Sequence, residues 1–402
     1  MARPNLEVAD VLRRHGEAYQ RRFRSGTSPQ QWRVLRALQQ CRTAALGGHI
    51  AQCDRCGHQV ISYNSCRNRH CPKCQSLAKA RWLDARRAEL LPVPYYHVVF
   101  TLPDSLAPLA LQNKRVVYSL LFQTVAQTLL TLAADPKHLG ATIGFLAVLH
   151  TWGQTLLHHP HLHCVVPGGG LSPDRQRWIA CRRGFFLPVR VLSRLFRRLF
   201  LEALHQAFEQ GRLQFHGTIQ PLSEPKAFAR LLQRCRAGEW VVYAKPPFGG
   251  PQKVLDYLAR YTHRIAISND RLLHLHDGKV TFRWKNYQHG GRHRTMTLDA
   301  VEFIRRFLLH VLPDGFVRIR YFGLFANGHR TANIALCRKL LRAAETTNTE
   351  TLAQLAWPDL LHALTGEDPL ACPCCHRGHL IVIESLPPHP SFHNRAPPGE
   401  DP

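Results

Sequence analysis

Two histidines, His161 and His163, have the residue type and the spacing that could bind a metal ion. They flank Leu162 in a short apolar run, residues 162–166, that is typical of a β-strand. Because successive side chains of a strand point to opposite faces, the two imidazoles would share one face while Leu162 enters the core. Neutral imidazoles are common ligands of divalent cations. The pair therefore predicts part of a metal site.

A third ligand could come from either of two nearby residues. The apolar run 143–149 predicts a neighbouring antiparallel strand that ends in His150, and the polar segment between the two strands contains Gln154. The chain also has His-x-His triplets beginning at His159 and His274, so the spacing alone carries little weight. The triplet at His274 runs into an Asp-Gly turn, and we predict that it lies on the surface.

Two tyrosines, Tyr257 and Tyr261, are four residues apart in a segment, 251–263, whose pattern predicts a helix. Residues four apart lie one above the other on a helix face. A tyrosine oxygen is a covalent nucleophile that is weak at its ordinary pKa of about 10, and a metal ion bound at a phosphate would assist its attack. The alternative is that both tyrosines are core residues, because Val254 and Leu258 point in nearly the same direction.

Six cysteines fall between Cys41 and Cys74, and four of these form C-x-x-C knuckles, one at Cys53 and Cys56 and one at Cys71 and Cys74. Disulfides are rare in reducing compartments, so metal binding explains this cluster better. We predict that the two knuckles together bind one structural zinc ion through four thiolates. Four unliganded buried thiols are the alternative.

Further cysteines and histidines leave additional metal sites open. His49, Cys66 and His70 could complete a second site near the knuckles or replace one ligand of the first. A C-terminal group could supply half of another zinc site, although its partners are not evident from the sequence. That group consists of Cys372, Cys374, Cys375, His376 and His379.

The charge of the chain predicts a polyanionic partner. Lys and Arg number 53 against 27 Asp and Glu, which gives a formal net charge of +26 over 402 residues. Most of these cations are Arg, whose planar fork suits phosphates and base edges, so nucleic acid is favoured over a membrane surface. Arg67, Arg69 and Lys73 alternate with the cysteines and are predicted to contact DNA. An ordinary solvated basic face is the alternative for each of them.

The composition, with 45% hydrophobic and 20% charged residues, excludes a disordered or collagen-like chain. Charged residues such as Glu7 and Asp10 lie where a signal peptide would need an apolar core, so we expect a cytosolic protein. The longest apolar stretch, 116–134, is interrupted by Ser, Gln and Thr residues. We predict that it forms a packed amphipathic helix rather than a membrane span.

Strand and helix patterns predict an α+β fold with a mostly antiparallel sheet flanked by helices, preceded by a small zinc-binding domain. Residues 1–90 are predicted to form a helical, zinc-binding domain that recognises DNA. Residues 91–330 form the large domain, and residues 331–402 form a C-terminal helical region with a possible cysteine knuckle and a disordered tail. Within the large domain, Asp277-Gly278 is a strong signal for a two-residue hairpin.

Three motifs, in this order, resemble those of the two-tyrosine HUH transposases of the insertion-sequence 91 family. The first is the segment Asn-Ser-Cys-Arg-Asn-Arg-His-Cys-Pro-Lys-Cys at 64–74, which is similar to that family's zinc-binding domain. The second joins His150-Thr-Trp-Gly-Gln to His-Pro-His-Leu-His at 159–163, and the third is the run Tyr-Leu-Ala-Arg-Tyr-Thr-His-Arg at 257–264. The resemblance extends from about Cys41 to Arg330.

The resemblance implies an HUH-endonuclease-like fold for residues 91–330 and rolling-circle-type transposition through single-stranded DNA. The family's metal-binding histidines fall on His161 and His163, and its nucleophiles fall on Tyr257 and Tyr261. Each tyrosine would form a 5′-phosphotyrosine link at an element end or at target DNA, with Mg²⁺ or Mn²⁺ as the catalytic ion. We favour His150 as third ligand, because it ends the strand proposed to pair with the His161 strand, and keep Gln154 as the alternative.

The resemblance further implies that the zinc-binding domain recognises the DNA of the element end, and Arg260 and Arg264 fit a strand-binding groove. Strand separation would depend on host replication or helicase functions, since the chain has no Gly-x-x-x-x-Gly-Lys-Ser/Thr loop. A rolling-circle replication initiator or relaxase with the same chemistry is one alternative. A non-catalytic zinc-containing DNA-binding regulator is another, and it would form no covalent adduct. A zinc hydrolase is disfavoured, because no carboxylate base lies near the histidine pair in the sequence.

Overall fold

A computed structural model describes residues 6–182, 184, 186–245, 253, 266–286, 291–343, 352 and 354–389. The helices of this part of the chain are α1 (Val8–Phe23), α2 (Pro29–Gln40), α3 (Ser76–Arg87), α4 (Ala107–Gln112), α5 (Lys114–Ala134), α6 (Val189–Glu209), α7 (Pro225–Ala237), α8 (Ala300–Leu309), α9 (Arg330–Leu340) and α10 (Trp357–Thr365). The strands are β1 (Gly48–Cys53), β2 (Gln59–Tyr63), β3 (Tyr95–Thr101), β4 (Gly144–Trp152), β5 (His158–Pro167), β6 (Gly169–Leu171), β7 (Trp178–Ala180), β8 (Val242–Lys245), β9 (Leu272–His276), β10 (Lys279–Asn286), β11 (Arg292–Asp299), β12 (Ile319–Gly323) and β13 (Leu380–Leu386).

The described residues divide into two compact units, each assembled from separate stretches of chain. The first unit takes residues from 1–84, 263–311 and 349–402, and the second takes residues from 85–262 and 312–348. This division differs from the three consecutive domains 1–90, 91–330 and 331–402 of the sequence analysis. One physical reason is strand pairing across the chain, since β13 near the C-terminus pairs with β1 near the N-terminus.

The second unit is built on a five-stranded antiparallel sheet in the order β12-β4-β5-β3-β8. The predicted strands over 143–149 and 162–166 are therefore confirmed, as is their antiparallel pairing. Alternation along β5 sends Leu162 and Cys164 into the hydrophobic core, which leaves the intervening histidines on the opposite face. The predicted α+β fold with an antiparallel sheet and flanking helices is confirmed.

Helix α5 lies in this core and contacts α6 and β5. The prediction of a packed helix is confirmed, but the expectation that this helix is amphipathic is wrong. Its buried residues, which include Tyr118, Leu121 and Leu129, occur on all sides, as is typical of a helix enclosed by other elements. By length and composition alone α5 could also cross a membrane, and a buried core helix satisfies the same test.

The first unit contains two three-stranded antiparallel sheets, β13-β1-β2 and β11-β10-β9. Helix α1 packs against α2 and α8, and Ser28 caps α2 by accepting a hydrogen bond from the Gln31 amide. The predicted hairpin is also confirmed: Asp277 and Gly278 have φ values of +46° and +69° between β9 and β10. Two consecutive positive φ angles are what a two-residue turn of this kind requires.

Candidate active site and metal centres

Three histidines meet on the face of the second unit's sheet that points away from the α5 core. His150 pairs in register with His161 across β4 and β5, and His163 pairs with Val148. Each of the three histidines offers a ring nitrogen, and these nitrogens lie within 4.8 Å of one another. The predicted pair thus shares one face, and the strand pairing brings His150 to it. Gln154 is half-buried in the turn between β4 and β5.

The hydrogen bonds at Nδ1 orient two of the imidazoles. The Nδ1 atom of His161 lies 2.7 Å from the backbone carbonyl of His159 and donates to it. The Nδ1 atom of His163 lies 2.7 Å from Nε2 of His97. When a carbonyl or another ring occupies one ring nitrogen, the tautomer and the ring direction are fixed, and the other nitrogen faces the metal.

Burial keeps the imidazoles of His161, His163 and His97 neutral. His150, His163 and His97 are all less than 9% exposed. Burial is the largest cause that lowers the pKa of His161, to about 4, and that lowers the pKa of His163 well below its usual value. Burial together with the nearby Lys245 ammonium lowers the pKa of His97 to about 4. Neutral rings retain the lone pair that a metal ligand needs.

His97 is a site residue that the sequence analysis missed. In β3 the side chains of Val98 and Phe100 enter the core, so His97 points to the opposite face. Its ring is nearly coplanar with that of His163, with centroids 5.0 Å apart and an interplanar angle of 3°. Alternation along β3 indicates its face, but only the pairing of β3 with β5 places it beside the histidine pair.

The predicted nucleophiles Tyr257 and Tyr261 lie outside the described residues, as do Arg260 and Arg264. The last strand described before them is β8, at the edge of the same sheet. On the histidine face of β8, Tyr243 is 40% exposed and its ring centroid lies 6.5 Å from that of His97. The Lys245 ammonium lies 5.4 Å from the Tyr243 ring.

The cysteines of the first unit form two groups, and their membership corrects the sequence analysis. The predicted single site of Cys53, Cys56, Cys71 and Cys74 is wrong, because its two knuckles belong to different groups. Cys71 and Cys74 meet Cys41 and Cys66, whereas Cys53 and Cys56 meet Cys372 and Cys375. Cys41 reaches its group because it is the residue at which α2 stops. Cys53 is the last residue of β1 and lies opposite the first residue of β13.

The group of Cys41, Cys66, Cys71 and Cys74 fits a tetrahedral zinc ion. The sulfur separations are 3.4 Å for Cys41–Cys74, 3.6 Å for Cys66–Cys74 and 3.8 Å for Cys41–Cys71. A zinc–sulfur bond of about 2.3 Å in a tetrahedron places sulfurs about 3.8 Å apart. Of the other residues considered near the knuckles, His49 and His70 belong to neither group within the described chain.

The basic residues between these ligands differ in their surroundings. Arg67 is exposed and has a φ of +50°, and Arg69 is half-buried. The ammonium of Lys73 lies 2.6 Å from the carboxylate of Glu7, so this cation forms an ion pair within the unit. Among these three predicted DNA contacts, Arg67 therefore has the most solvent-accessible charge.

Comparison with known proteins places the chain in a family. The family described as "Transposase zinc-binding domain" matches residues 11–102, and the family described as "Putative transposase" matches residues 144–333. The chain is 60% identical over 384 residues to "Putative transposase y4qJ" of Sinorhizobium fredii, and the match covers 96% of each protein. The chain belongs to the insertion-sequence 91 family of transposases. This transposase is also 28% identical over 341 residues to "Transposase for insertion sequence element IS801" of Pseudomonas savastanoi pv. phaseolicola, covering 83% of this chain and 79% of that one. No solved structure matches it.

Each of the two family matches contains one kind of metal site. The match over 144–333 contains His150, His161 and His163, and the match over 11–102 contains all four cysteines of the first group. Membership of this family makes DNA the substrate of this transposase, and the cysteine groups support structural zinc. Cys372 and Cys375 lie outside both matches.

Proposed function

We propose that this transposase cuts and rejoins single-stranded DNA at the element ends by metal-assisted tyrosine attack, in rolling-circle-type transposition. The observation that carries the proposal is the cluster of three imidazoles on one sheet face, with His161 and His163 each oriented through Nδ1. Three oriented imidazoles on one face are the arrangement expected of a metal site that binds a phosphate. The two tyrosines enter the proposal through the resemblance of the motifs to those of the family. In this proposal the protein acts on DNA in the bacterial cytoplasm.

The chemical step exchanges one phosphodiester for another. The hydroxyl oxygen of Tyr257 or Tyr261 attacks the scissile phosphorus, the bond from phosphorus to the 3′ oxygen breaks, and a 5′-phosphotyrosine forms. The tyrosine loses its proton, and the departing 3′ oxygen gains one, so the step needs no oxidant and no nucleotide cofactor. The 3′-OH can later attack a phosphotyrosine and restore a phosphodiester. Two tyrosines would allow cleavage at an element end and transfer to target DNA within one site.

A divalent ion, Mg²⁺ or Mn²⁺, would polarise the scissile phosphate and neutralise its charge when bound. His161, His163 and His150 would hold it, and the neutral state of His161 and His163 suits that role. Imidazole ligands favour later first-row metals, whereas Mg²⁺ prefers oxygen ligands. Since the cluster is made of three imidazoles, we expect Mn²⁺ to be preferred over Mg²⁺.

The proposal is tested with a single-stranded oligonucleotide that carries the element end and a 3′ label. Incubation with the protein and Mn²⁺ is expected to give a labelled covalent protein–DNA species that survives denaturing electrophoresis, with a smaller yield at equal Mg²⁺. A chelator should prevent its formation. If no covalent species forms with any divalent ion while the oligonucleotide is still bound, the protein is a DNA-binding regulator rather than a nuclease.

His97 is expected to act as a positioning residue for His163, because it contacts no substrate atom in this scheme and holds Nδ1 of the ligand. Removing such a partner lowers metal affinity by about 10- to 100-fold. The variant His97→Ala should therefore raise the Mn²⁺ concentration for half-maximal cleavage by about that factor, while the rate at saturating Mn²⁺ changes less.

The conservative variant His97→Gln keeps an acceptor in the side chain and should recover part of the affinity. A purely structural role would instead lower the amount of active protein in both variants without moving the Mn²⁺ midpoint, and that result would contradict the assignment. Thermal unfolding of each variant separates the two cases.

The zinc-binding first unit is proposed to recognise the DNA of the element end, with Arg67 and Arg69 at phosphates. Within the scheme, Arg260 and Arg264 contact the strand near the tyrosines, and strand separation comes from host replication or helicase functions. The net charge of +26 is consistent with such a partner.

A further inference from the structure

We propose that this transposase holds a second zinc ion, bound by Cys53 and Cys56 from near the N-terminus and by Cys372 and Cys375 from near the C-terminus. The family match for the zinc-binding domain ends at residue 102, so half of this site lies beyond it. The proposal does not depend on the strand-cleavage mechanism.

The sulfur positions fit four thiolates around one ion. The sulfurs of Cys53 and Cys375 are 3.7 Å apart, and those of Cys56 and Cys372 are also 3.7 Å apart. These separations match the value of about 3.8 Å expected between ligands of tetrahedral zinc. They are far longer than a disulfide bond of about 2.05 Å, so the four groups are thiols.

The two halves of the site have the same local geometry. In each knuckle the amide two residues after the first cysteine donates to its sulfur, from Arg55 to Cys53 and from Cys374 to Cys372, at 3.4 Å in both cases. In each knuckle the residue after the second cysteine has a left-handed backbone, with φ of +71° at Gly57 and +54° at His376. Two unrelated stretches of sequence thus present their sulfurs in the same way.

Backbone amides also favour the thiolate form that zinc requires. The Arg55 amide is directed at the Cys53 sulfur, and the Cys374 amide is directed at the Cys372 sulfur. Amides directed at a sulfur compensate part of the charge that accumulates when several thiolates meet. Two of the four ligands are shielded from solvent, because Cys53 and Cys372 are 2% and 0% exposed.

The residues around the four cysteines allow the two knuckles to lie close together. A Cβ atom on Gly378 would collide with the sulfur of Cys53 and with the carboxylate of Asp54, so the position requires glycine. The Asp54 carboxylate accepts a hydrogen bond from the His379 amide at 2.8 Å, and the Asp54 amide donates to the His379 carbonyl at 3.1 Å. Strands β1 and β13 then continue from the two knuckles as an antiparallel pair.

The consequence is that a metal ion holds residues more than 300 positions apart in one unit. A contact at such a separation costs more loop-closure entropy than one within a single knuckle pair. Four zinc–thiolate bonds offset that cost and make the packing of β13 on β1 dependent on the ion. The C-terminal segment becomes part of the zinc-containing unit.

The test measures bound metal per chain in the full-length protein by elemental analysis. We expect two zinc ions in the unaltered protein and one in Cys372→Ser/Cys375→Ser. Cys374→Ser is the matched control, because this exposed cysteine lies between the two ligands and belongs to neither group, and it should retain two. Cys71→Ser/Cys74→Ser should lose the other ion and retain one.

The proposal would be overturned if Cys372→Ser/Cys375→Ser still bound two zinc ions. It would also be overturned if the bound metal were iron instead of zinc. If that variant does not fold, alkylation of the unaltered protein decides the matter. In the native metal-loaded protein, Cys372 and Cys375 should react at least about tenfold more slowly than Cys374, and a chelator should remove the difference. Equal reaction rates of the three cysteines before chelation would show that no ion is bound there.

Discussion

The double variant Tyr257→Phe/Tyr261→Phe is expected to form no covalent protein–DNA species, while its binding of the element-end oligonucleotide stays within about twofold of the unaltered protein. Phenylalanine keeps the ring and removes the oxygen that would attack phosphorus. Loss of a covalent nucleophile commonly lowers turnover by about 10³-fold or more. Denaturing electrophoresis of the labelled oligonucleotide measures the adduct, and a filter-binding titration measures affinity.

Tyr243→Phe is the matched control for this experiment. Tyr243 is an exposed tyrosine on the histidine face of β8, and its ring lies 6.5 Å from that of His97. If the proposal is right, Tyr243→Phe retains the adduct. An adduct that persists in the Tyr257/Tyr261 variant and disappears in Tyr243→Phe would assign the nucleophile to β8 and contradict the proposed roles.

The single variants Tyr257→Phe and Tyr261→Phe separate the two nucleophiles. Each should still form an adduct if both oxygens can reach the phosphate, and completion of strand transfer should fall in both. If one single variant already abolishes cleavage of the element end, the tyrosine removed in that variant acts first. Peptide mapping of the adduct in each variant identifies the linked residue.

The variant His161→Ala is expected to lower metal-dependent cleavage by about 100-fold or more, because it removes one of three ligands from a buried site. His163→Ala should have a comparable effect and should also leave His97 without the ring to which it is hydrogen-bonded. The measurement is the initial rate of adduct formation over a range of Mn²⁺ concentrations.

The second His-x-His triplet of the chain provides the matched control. His274 and His276 are exposed on β9 in the first unit, so His274→Ala should cleave like the unaltered protein. If His161→Ala cleaves as fast as the unaltered protein in the presence of a chelator, the metal part of the proposal fails. The tyrosine part would then rest on the Tyr257/Tyr261 variant alone.

Much of the histidine site could be predicted from the sequence because it depends on neighbours in the chain. Alternation within one strand places His161 and His163 on one face, and two apolar runs joined by a short segment pair most simply as antiparallel neighbours. That pairing brings His150 into the cluster. His97 could not be placed in the same way, because the partner of β3 is set by packing of the whole sheet.

The grouping of the cysteines, in contrast, could not be predicted from the sequence. The sequence predicts metal-binding knuckles, since a C-x-x-C segment forms its own local geometry. Which knuckle meets which depends on contacts between distant stretches. The prediction joined Cys53 and Cys56 to Cys71 and Cys74, whereas pairing of β13 with β1 brings Cys53 and Cys56 to Cys372 and Cys375.

By itself, then, the sequence determined the two strands that carry the histidine cluster, the hairpin turn, the shared face of the histidine pair and membership of the family. These features follow from backbone preferences and side-chain periodicity over a few residues, or from motifs that are contiguous in the chain. Only the tertiary structure decided the grouping of the cysteines, the contact between His97 and His163, and the division into two discontinuous units. Each of these joins residues far apart in the chain, and local interactions do not select among the possible long-range pairings.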